Sequence, residues 1–307
     1  CLVARPGRVM TPVEVDFVSG GDVCSAWHFA GNGGSARRPV VVMAHGFGGT
    51  KDSGLAPFAE RIAEAGADVL AFDYRGFGAS QGLPRQSLSV RRQIADYHAA
   101  VDAAAALPGV DPGRVVLWGV SFSGGHVLRV AAERGDVGAV IALTPLTSGM
   151  AVSRAAMTSR DLTTSLRWTL TGIRSRVSVA RGGAPTMMPL VSPVGGGGAL
   201  ALEGADESYR AMAGPSWRNE IDCSVGLEVL GVRTAAAAKR LRCPLLVQIA
   251  DFDSYVPADA VAATAAHGRA QVHHYPCDHF DVWPGHDWFD KAVVDQIAFL
   301  HRVVATQ

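Results

Sequence analysis

Short apolar runs alternate with longer stretches of helical periodicity along most of this chain. Such runs predict β-strands, and a run that is apolar throughout is typical of a strand buried on both faces of a parallel sheet. We predict strands at 13–18, 23–29, 39–44, 68–72, 114–118, 139–143, 243–250 and 271–275. Helices are predicted where apolar residues recur every three or four positions, at 53–65, 91–107, 126–134, about 257–267 and 288–304. The alternation predicts the α/β fold class, with a mainly parallel, doubly wound sheet that helices cover on both faces.

The alternation stops between residues 144 and 242. This stretch holds Ser-, Thr- and Arg-rich segments with scattered Met and Trp residues and no β–α pattern. A structureless loop of such length is rare in a compact domain, so we predict an inserted, mostly helical cap. Its position after the carboxyl end of a strand is where ligands bind in open α/β sheets. The predicted domains are a core of residues 1–147 and 241–307 and a cap of residues 148–240.

The charge balance narrows the range of partners. Lys and Arg together number 28, as do Asp and Glu, so the formal net charge is 0. This balance gives no indication of attraction to nucleic acid or to an anionic membrane, and it favours a neutral or apolar small molecule. No run approaches the roughly 18 consecutive apolar residues of a membrane-spanning helix, so no membrane span is expected. Homo-oligomerisation stays open.

The five cysteines are widely scattered and include no C-x-x-C pair, at Cys1, Cys24, Cys223, Cys243 and Cys277. Neither a disulfide framework nor a zinc site is indicated, and we interpret most of them as small buried hydrophobes of a reduced compartment. The first residues lack the apolar stretch of a signal peptide, so cytoplasmic localisation is expected. Because the sequence does not begin with Met, an upstream leader that has been removed stays open.

The predicted strand at 114–118 runs directly into the sequence GVSFSGG at 119–125. A nucleophilic serine at the head of a helix needs a tight turn with small residues two positions before and after it. Around Ser121 these are Gly119 and Ser123, a departure from the usual G-x-S-x-G pattern. Ser123 also has small neighbours, but the end of the strand places it inside the first helical turn. We therefore predict Ser121 as the nucleophile; a plain strand–helix connector is the competing interpretation.

A glycine-rich loop, HGFGGT at 45–50, follows the predicted strand at 39–44. Acyl transfer needs two backbone N–H donors aimed at the tetrahedral oxyanion, and glycines let the backbone approach the substrate. The expected donors are the N–H groups of Phe47 and of Phe122, the residue after the nucleophile. The loop lacks the Lys-Ser/Thr ending of a P-loop and the G-x-G-x-x-G spacing of dinucleotide sites. His45 is interpreted as an architectural residue of the loop.

Candidate acids and a candidate base follow the last two predicted strands. Asp251 and Asp253 lie just past 243–250, where a carboxylate can accept the N–H of an imidazole. His279 lies on the loop after 271–275, and histidine suits a general base because its pKa is near neutrality. The competing histidines, which lie at other positions in strands, loops or helix ends, are His267, His273, His274 and His286. No second catalytic turn surrounds Cys277, and the order Ser, Asp, His is the one found in α/β-hydrolases.

Five segments carry a family resemblance: HGFGGTKD at 45–52, FDYRGFGASQG at 72–82, LWGVSFSGG at 117–125, ADFDSYVP at 250–257 and YPCDHFDVW at 275–283. In these segments the chain resembles α/β-hydrolases of the serine aminopeptidase (lysophospholipase-like) and dienelactone hydrolase-like branches. The resemblance implies the α/β-hydrolase fold and the hydrolysis of an ester, thioester or amide through an acyl-enzyme. It favours Asp253 over Asp251 and gives a structural role to Asp73, Arg75, Gly76 and Gly78.

The predicted function is that of a serine hydrolase with a triad of Ser121, His279 and Asp253 and no metal or organic cofactor. The expected partner is a small-molecule acyl substrate, a largely uncharged carboxylic ester of small or medium size, because ester leaving groups demand less of an enzyme than amines. The alternatives are a peptidase or amidase, a thioesterase, a C–C hydrolase or a cofactor-free haloperoxidase on the same triad, and a non-catalytic small-ligand-binding protein. Large residues of the predicted cap either line an acyl pocket or form the cap's own core, namely Trp168, Met187, Met188, Tyr209 and Trp217.

Overall fold

A mainly parallel eight-stranded sheet forms the centre of the protein in this computed structural model, which describes residues 10–32, 37–159 and 162–305. Its strands follow the order β1-β2-β4-β3-β5-β6-β9-β10, with β1 and β2 antiparallel to their neighbours and the others parallel. Their bounds are β1 Val13–Ser19, β2 Asp22–Phe29, β3 Arg38–Ala44, β4 Asp68–Phe72, β5 Val110–Val120, β6 Val137–Leu143, β9 Leu245–Ala250 and β10 Gln271–Tyr275. The predicted α/β class and the mainly parallel sheet are confirmed.

Two groups of helices pack on this sheet. Their bounds are α1 Ala56–Glu64, α2 Val90–Ala105, α3 Phe122–Glu133, α8 Ala235–Arg240, α9 Ala258–His267 and α10 Phe289–Ala305. Helix α1 packs against α10, whereas α2, α3, α8 and α9 pack against one another in that order. The predicted doubly wound arrangement follows from these two separate layers.

Element boundaries differ from the predicted ones where a turn leads straight into the next element. Helix α3 begins at Phe122 rather than at 126, because the turn at Ser121 continues directly into helical backbone. Helix α1 begins at Ala56 rather than at 53, because residues 51–54 form turns of their own. Strand β5 begins at Val110 rather than at 114, with an irregular register against β3.

The chain between β6 and β9, here called the inserted segment (residues 148–240), is mostly helical. It contains α4 Gly149–Ser159, α5 Leu162–Ala180, α6 Ala205–Met212 and α7 Val225–Leu230, in addition to α8. A two-stranded antiparallel sheet of β7 Met187–Met188 and β8 Ile221–Asp222 was not predicted. At its carboxyl end, α8 packs against α3 and α9, which belong to the layer on the main sheet.

The central strands bring the candidate site residues to one edge of the sheet. In β9 every residue is buried, and in β3, β5 and β6 the buried run extends to the carboxyl end of the strand. Parallel strands end at a common edge, which is where ligands bind in open α/β sheets. The loops that follow β3, β5, β9 and β10 hold the residues at 45–50, 121, 253 and 279 respectively.

At the opposite edge, a buried carboxylate connects three strands. Asp68, the first residue of β4, accepts hydrogen bonds from Arg38 Nε (2.5 Å), the His28 ring (2.8 Å) and the Gly31 N–H (2.9 Å). Burial raises the pKa of the Asp68 carboxyl, but these three donors outweigh burial and lower the pKa to about 2. Asp68 therefore stabilises the folded state while it is ionised.

We expect Asp68→Asn to lower the free energy of unfolding by about 2–3 kcal/mol at neutral pH. Because the pKa is lower in the folded protein than the ordinary value of 3.8, this contribution is complete above that value and is lost as the pH falls towards 2. Urea unfolding of both proteins over this pH range measures it. Asp290→Asn, which removes an exposed partner of Arg61, is the control and should cost less than about 1 kcal/mol. A loss in Asp68→Asn that did not change with pH would contradict the expectation.

Candidate active site

Ser121 stands on a tight turn between β5 and α3. Its backbone has φ = 54° and ψ = −115°, a region that residues other than glycine rarely occupy. Hydrogen bonds hold the turn on both sides: the Ser121 N–H donates to the Leu143 carbonyl (2.9 Å), and the Ser121 carbonyl accepts from the Leu146 N–H (2.7 Å). A strained strand-to-helix turn of this kind exposes a nucleophilic hydroxyl at the head of a helix.

Close backbone contacts around this turn require small residues. A Cβ atom on Gly119 would lie 2.4 Å from the carbonyl oxygen of Ser123, and one on Gly46 would lie 3.2 Å from Ser121 Cβ. Ser123, the competing nucleophile, is fully buried; its hydroxyl accepts the Val120 N–H (2.8 Å) and lies 2.9 Å from the Ala44 carbonyl. Ser123 therefore supports the turn from inside, and Ser121 is the serine that reaches the cavity described below.

Asp253 and His279 form a buried pair beside the turn. His279 Nδ1 lies 2.6 Å from Asp253 Oδ2, and both side chains are almost completely buried. The other carboxylate oxygen of Asp253 accepts the N–H groups of Tyr255 (2.8 Å) and Val256 (2.7 Å). These bonds fix the carboxylate, which in turn fixes the orientation of the imidazole and leaves Nε2 on the side of the ring away from Asp253.

The competing acid and bases have other partners. Asp251 lies 2.6 Å from His274 Nδ1 at the protein surface. His273 lies 3.2 Å from Asp295, and His286 lies 3.8 Å from Asp281. None of these three histidines lines the cavity that contains Ser121.

Charge around His279 stabilises its protonated form. Burial lowers the pKa of His279, but the charge and the hydrogen bond of Asp253, together with the charge of Asp278, outweigh burial and raise the pKa above the ordinary value of 6.5. A raised pKa makes the imidazole a stronger proton acceptor, which suits a general base.

The predicted oxyanion donors lie on the two segments that meet at Ser121. Phe122 is the first residue of α3, and no hydrogen bond between described residues uses its N–H or that of Phe47. The two phenylalanine rings pack edge to face at 5.8 Å. The N-terminus of a helix favours negative charge, so an oxyanion next to Phe122 is stabilised by the helix as well as by the N–H itself.

Buried His45 belongs to the same loop and packs against the core. Its ring contacts Tyr74 edge to face at 4.8 Å, and its Nδ1 lies 3.0 Å from the Gly46 carbonyl. Burial lowers the pKa of His45, so the ring is neutral near pH 7. This geometry agrees with the predicted architectural role.

The inserted segment is attached to this loop by hydrogen bonds that the sequence pattern does not reveal. The Tyr209 hydroxyl donates to the Phe47 carbonyl at 2.5 Å. Next to it, Asp52 accepts both the N–H and the hydroxyl of Ser216 (2.9 Å each), and the Gly214 N–H donates to Ser53 Oγ (3.2 Å). Tyr209 is 162 residues from its partner, so no local signal could have paired them.

A cavity of about 420 Å³ joins these groups. Ser121, His279 and Phe47 line it from the core side, with Asp253 behind His279. Residues of the inserted segment close it, among them Val152, Trp168, Gly172, Met188, Leu200, Tyr209 and Leu227. Of the large residues considered from the sequence, Trp168, Met188 and Tyr209 therefore line the cavity, whereas Trp217 packs on the Tyr209 ring at 5.4 Å. None of the described residues that line the cavity is Asp, Glu, Lys or Arg.

Among curated proteins, the chain is similar to the quorum-quenching protein AidA of Acinetobacter baumannii, with 35% identity over 296 residues, 95% of each chain. It is also 35% identical over 162 residues to the thiohydrolase aneE of Aspergillus aculeatus, which is 53% of this chain and 50% of that protein.

Among solved structures, the α/β hydrolase GrgF from Penicillium matches with a TM-score of 0.81 and 24% identity, covering 96% of this chain and all of that one. A hypothetical protein from Pseudomonas aeruginosa matches with a TM-score of 0.82 and 22% identity, covering 97% and 95% of the two chains. These two similarities support the fold.

The family model described as "Serine aminopeptidase, S33" matches residues 35–277, which include the loop at 45–50, Ser121 and Asp253. The match covers most of the chain, and the relative that is 35% identical over 95% of each chain agrees with it. The chain therefore belongs to the serine aminopeptidase (S33) family of α/β-hydrolases and is a hydrolase.

Proposed function

We propose that this hydrolase cleaves carboxylic esters of small or medium, largely uncharged substrates through an acyl-enzyme formed on Ser121. The observation that carries the proposal is the meeting, at one apolar cavity, of Ser121, the His279–Asp253 pair and Phe47, whose backbone N–H takes part in no hydrogen bond between described residues. Each alone is a weak indication. Together they supply a nucleophile, a base with an oriented ring and an oxyanion donor.

In the proposed mechanism, His279 Nε2 accepts the hydroxyl proton of Ser121 while Oγ attacks the acyl carbonyl. The N–H groups of Phe47 and Phe122 bind the oxyanion of the tetrahedral intermediate. His279 then gives its proton to the departing alkoxide, which leaves an acyl ester on Ser121. A water molecule, deprotonated by the same histidine, releases the acid and restores the serine. No metal or organic cofactor takes part.

The walls of the cavity support the proposed substrate class. Its volume lies within the range of about 300–1,000 Å³ that is typical of small-molecule sites. A charged substrate group would lose its hydration there without gaining a charged partner, at a cost of several kcal/mol. An uncharged acyl group buries its apolar surface against side chains such as Leu200 and Leu227 instead.

The inserted segment, residues 148–240, acts as the cap over this cavity in our proposal. It contributes most of the apolar lining, and it is held to the oxyanion loop through Tyr209, Gly214 and Ser216. Residues 1–147 and 241–307 form the core domain that carries the triad.

Thioester cleavage is the second candidate, favoured by the similarity of half of the chain to a thiohydrolase. The attacked carbonyl and the machinery would be the same, so the leaving group alone distinguishes the two. The similarity to a quorum-quenching protein puts bacterial signalling esters among the substrates to test. Cytoplasmic localisation is part of the proposal, supported by the buried free thiols of Cys24, Cys223 and Cys277.

A fluorophosphonate probe should label Ser121, and mass spectrometry should find the modified peptide at 119–125. Labelling should disappear in Ser121→Ala and persist in Ser153→Ala, a variant of another serine that lines the same cavity. A panel of aryl esters, thioesters, aminoacyl anilides and C–C hydrolase substrates then ranks the leaving groups, with the ester fastest. Labelling of a different serine, or none in a folded sample, would refute the mechanism; a faster thioester would favour the second candidate.

The acid limb of kcat/KM against pH should lie above pH 6.5, because only neutral His279 accepts a proton and its pKa is raised. Asp253→Asn should lower kcat by about 10⁴-fold and move the acid limb to lower pH, since the carboxylate that raises the pKa is lost. Asp251→Asn is the matched control and should leave rate and profile near those of the wild type. Equal losses in the two variants would contradict the assignment of Asp253.

Tyr209→Phe removes the hydroxyl that holds the Phe47 carbonyl and keeps the ring. We expect kcat to fall about tenfold with KM little changed, because a displaced Phe47 N–H stabilises the oxyanion less well. Ser216→Ala removes a neighbouring hydrogen bond between the inserted segment and Asp52 without contact with Phe47, so it should affect stability more than kcat. Steady-state kinetics and thermal unfolding separate the two effects. If kcat fell equally in both variants, the cause would be weaker attachment of the inserted segment as a whole, and not displacement of Phe47.

A further inference from the structure

Helix α5 exposes a stripe of large apolar side chains to solvent. The stripe consists of Leu166, Leu170, Ile173 and Val177, which are 58%, 45%, 45% and 41% exposed. Their spacings of four, three and four residues place them on one face of the helix. A continuous exposed apolar stripe of this kind marks a binding surface more often than scattered single residues do.

The packing of α5 on the protein does not need this stripe. A different face of the helix contains Trp168 and Gly172, which line the cavity, and the fully buried Ser175, whose hydroxyl donates to Asp222 at 2.6 Å. Gly172 also lies close to the Cys223 carbonyl, where a Cβ atom would come within 2.8 Å. The buried face already attaches α5 to the rest of the inserted segment, so the stripe remains available for a partner.

The helices next to α5 also carry exposed apolar residues. Helix α7 packs against both α4 and α5. Among exposed large apolar residues, Met150 on α4 and Leu230 on α7 are 40% and 48% exposed. Leu230 also lines the cavity, so the exposed stripe itself is confined to α5.

Two exposed arginines lie beside the stripe, and a third, Arg176, is paired with Glu228 of α7. Arg167 and Arg174 each follow a stripe residue by one position, about 100° round the helix, and both are exposed. No ion pair between described residues involves either of them. Across residues 149–202 the sequence contains six arginines, one aspartate and no other charged residue, although the whole chain has a net charge of 0.

We propose that the exposed face of α5 binds the surface of an anionic lipid bilayer. The apolar stripe enters the boundary between headgroups and acyl chains, and the flanking arginines bind lipid phosphates. None of the described helices is long and apolar enough to cross a membrane, and the proposed contact lies along the surface. The arginines disfavour a second copy of the same face, because like charges would be brought together. The apolar stripe disfavours nucleic acid, which offers no matching apolar surface there.

Surface binding would place the wall of the cavity next to the lipid, because Trp168 and Gly172 lie on the same helix as the stripe. Apolar esters accumulate in bilayers, so a docked enzyme would meet them at high local concentration. The binding itself does not depend on the chemistry proposed for Ser121, and it can be tested separately.

The test is co-sedimentation of the full chain with vesicles of phosphatidylcholine alone and of phosphatidylcholine mixed with phosphatidylglycerol. We expect binding to the mixed vesicles, weak binding to the neutral ones, and a fall in affinity as salt increases. Leu170→Glu and Ile173→Glu should abolish binding. Arg167→Gln and Arg174→Gln should each weaken binding to mixed vesicles by about fivefold.

Val294→Glu, which changes a half-exposed apolar residue on α10, is the matched control and should bind as the wild type does. Hydrolysis of a soluble aryl ester shows that each variant is folded, because neither Leu170 nor Ile173 lines the cavity. If that activity proves absent from the wild type, circular dichroism replaces it, so a failure of the proposed function stays distinguishable from a failure of membrane binding.

Two results would overturn the proposal. One is the absence of binding to mixed vesicles, or binding that Leu170→Glu leaves unchanged. The other is a dimer in sedimentation velocity that Leu170→Glu dissociates, without vesicle binding, which would make a second copy of the chain the partner of the stripe.

Discussion

The strained turn at Ser121 is the constraint on which the rest of the site depends. A positive φ at a residue with a side chain costs of order 1–3 kcal/mol, so the turn persists only because its surroundings hold it. The Ser121 backbone is hydrogen-bonded to Leu143, the last residue of β6, and to Leu146 in the loop that follows; Ser123 is hydrogen-bonded to the ends of both β5 and β3. Hydrogen bonds to three neighbouring parallel strands therefore hold the strained turn. The sheet has to be formed before the Ser121 hydroxyl takes up its position at the cavity.

The glycine-rich loop at 45–50 passes close to the turn at Ser121. Gly46 lets the loop after β3 pass close to Ser121, since a Cβ atom there would lie 3.2 Å from Ser121 Cβ, and this approach brings the next residue, Phe47, to the cavity that Ser121 lines. The loop is in turn held by Tyr209 from the inserted segment. Oxyanion geometry thus depends on contacts from both the sheet and the inserted segment, which couples any movement of that segment to the chemistry that we propose.

The sequence predicted the sheet well because buried parallel strands are continuous apolar runs, such as β3 and β9, and their carboxyl ends carry the conspicuous polar residues. It predicted less where a structure depends on distant partners. Strands β7 and β8 have two residues each and exist only because Met187 and Met188 pair with Asp222 and Ile221, far along the chain. The hydrogen bond from Tyr209 to Phe47 is equally non-local. The serine in place of the last motif glycine was interpretable only as a small residue; its bonds to Val120 and Ala44 give it a positive structural role.

The net charge of the whole chain conceals the local distribution of charge in the inserted segment. A net charge of 0 gave no reason to expect an anionic partner. Within residues 149–202, however, all charged residues but one aspartate are arginines, and two of these arginines lie beside an exposed apolar stripe. Helix α5 consequently has two apolar faces with different surroundings, one lining the cavity through Trp168 and one open to solvent through Leu170. A helix that served only to cover the cavity would gain solubility from polar residues on its outer face. That it carries leucine, isoleucine and valine there, beside exposed arginines, is the physical reason to regard the inserted segment as a contact surface as well as a cover.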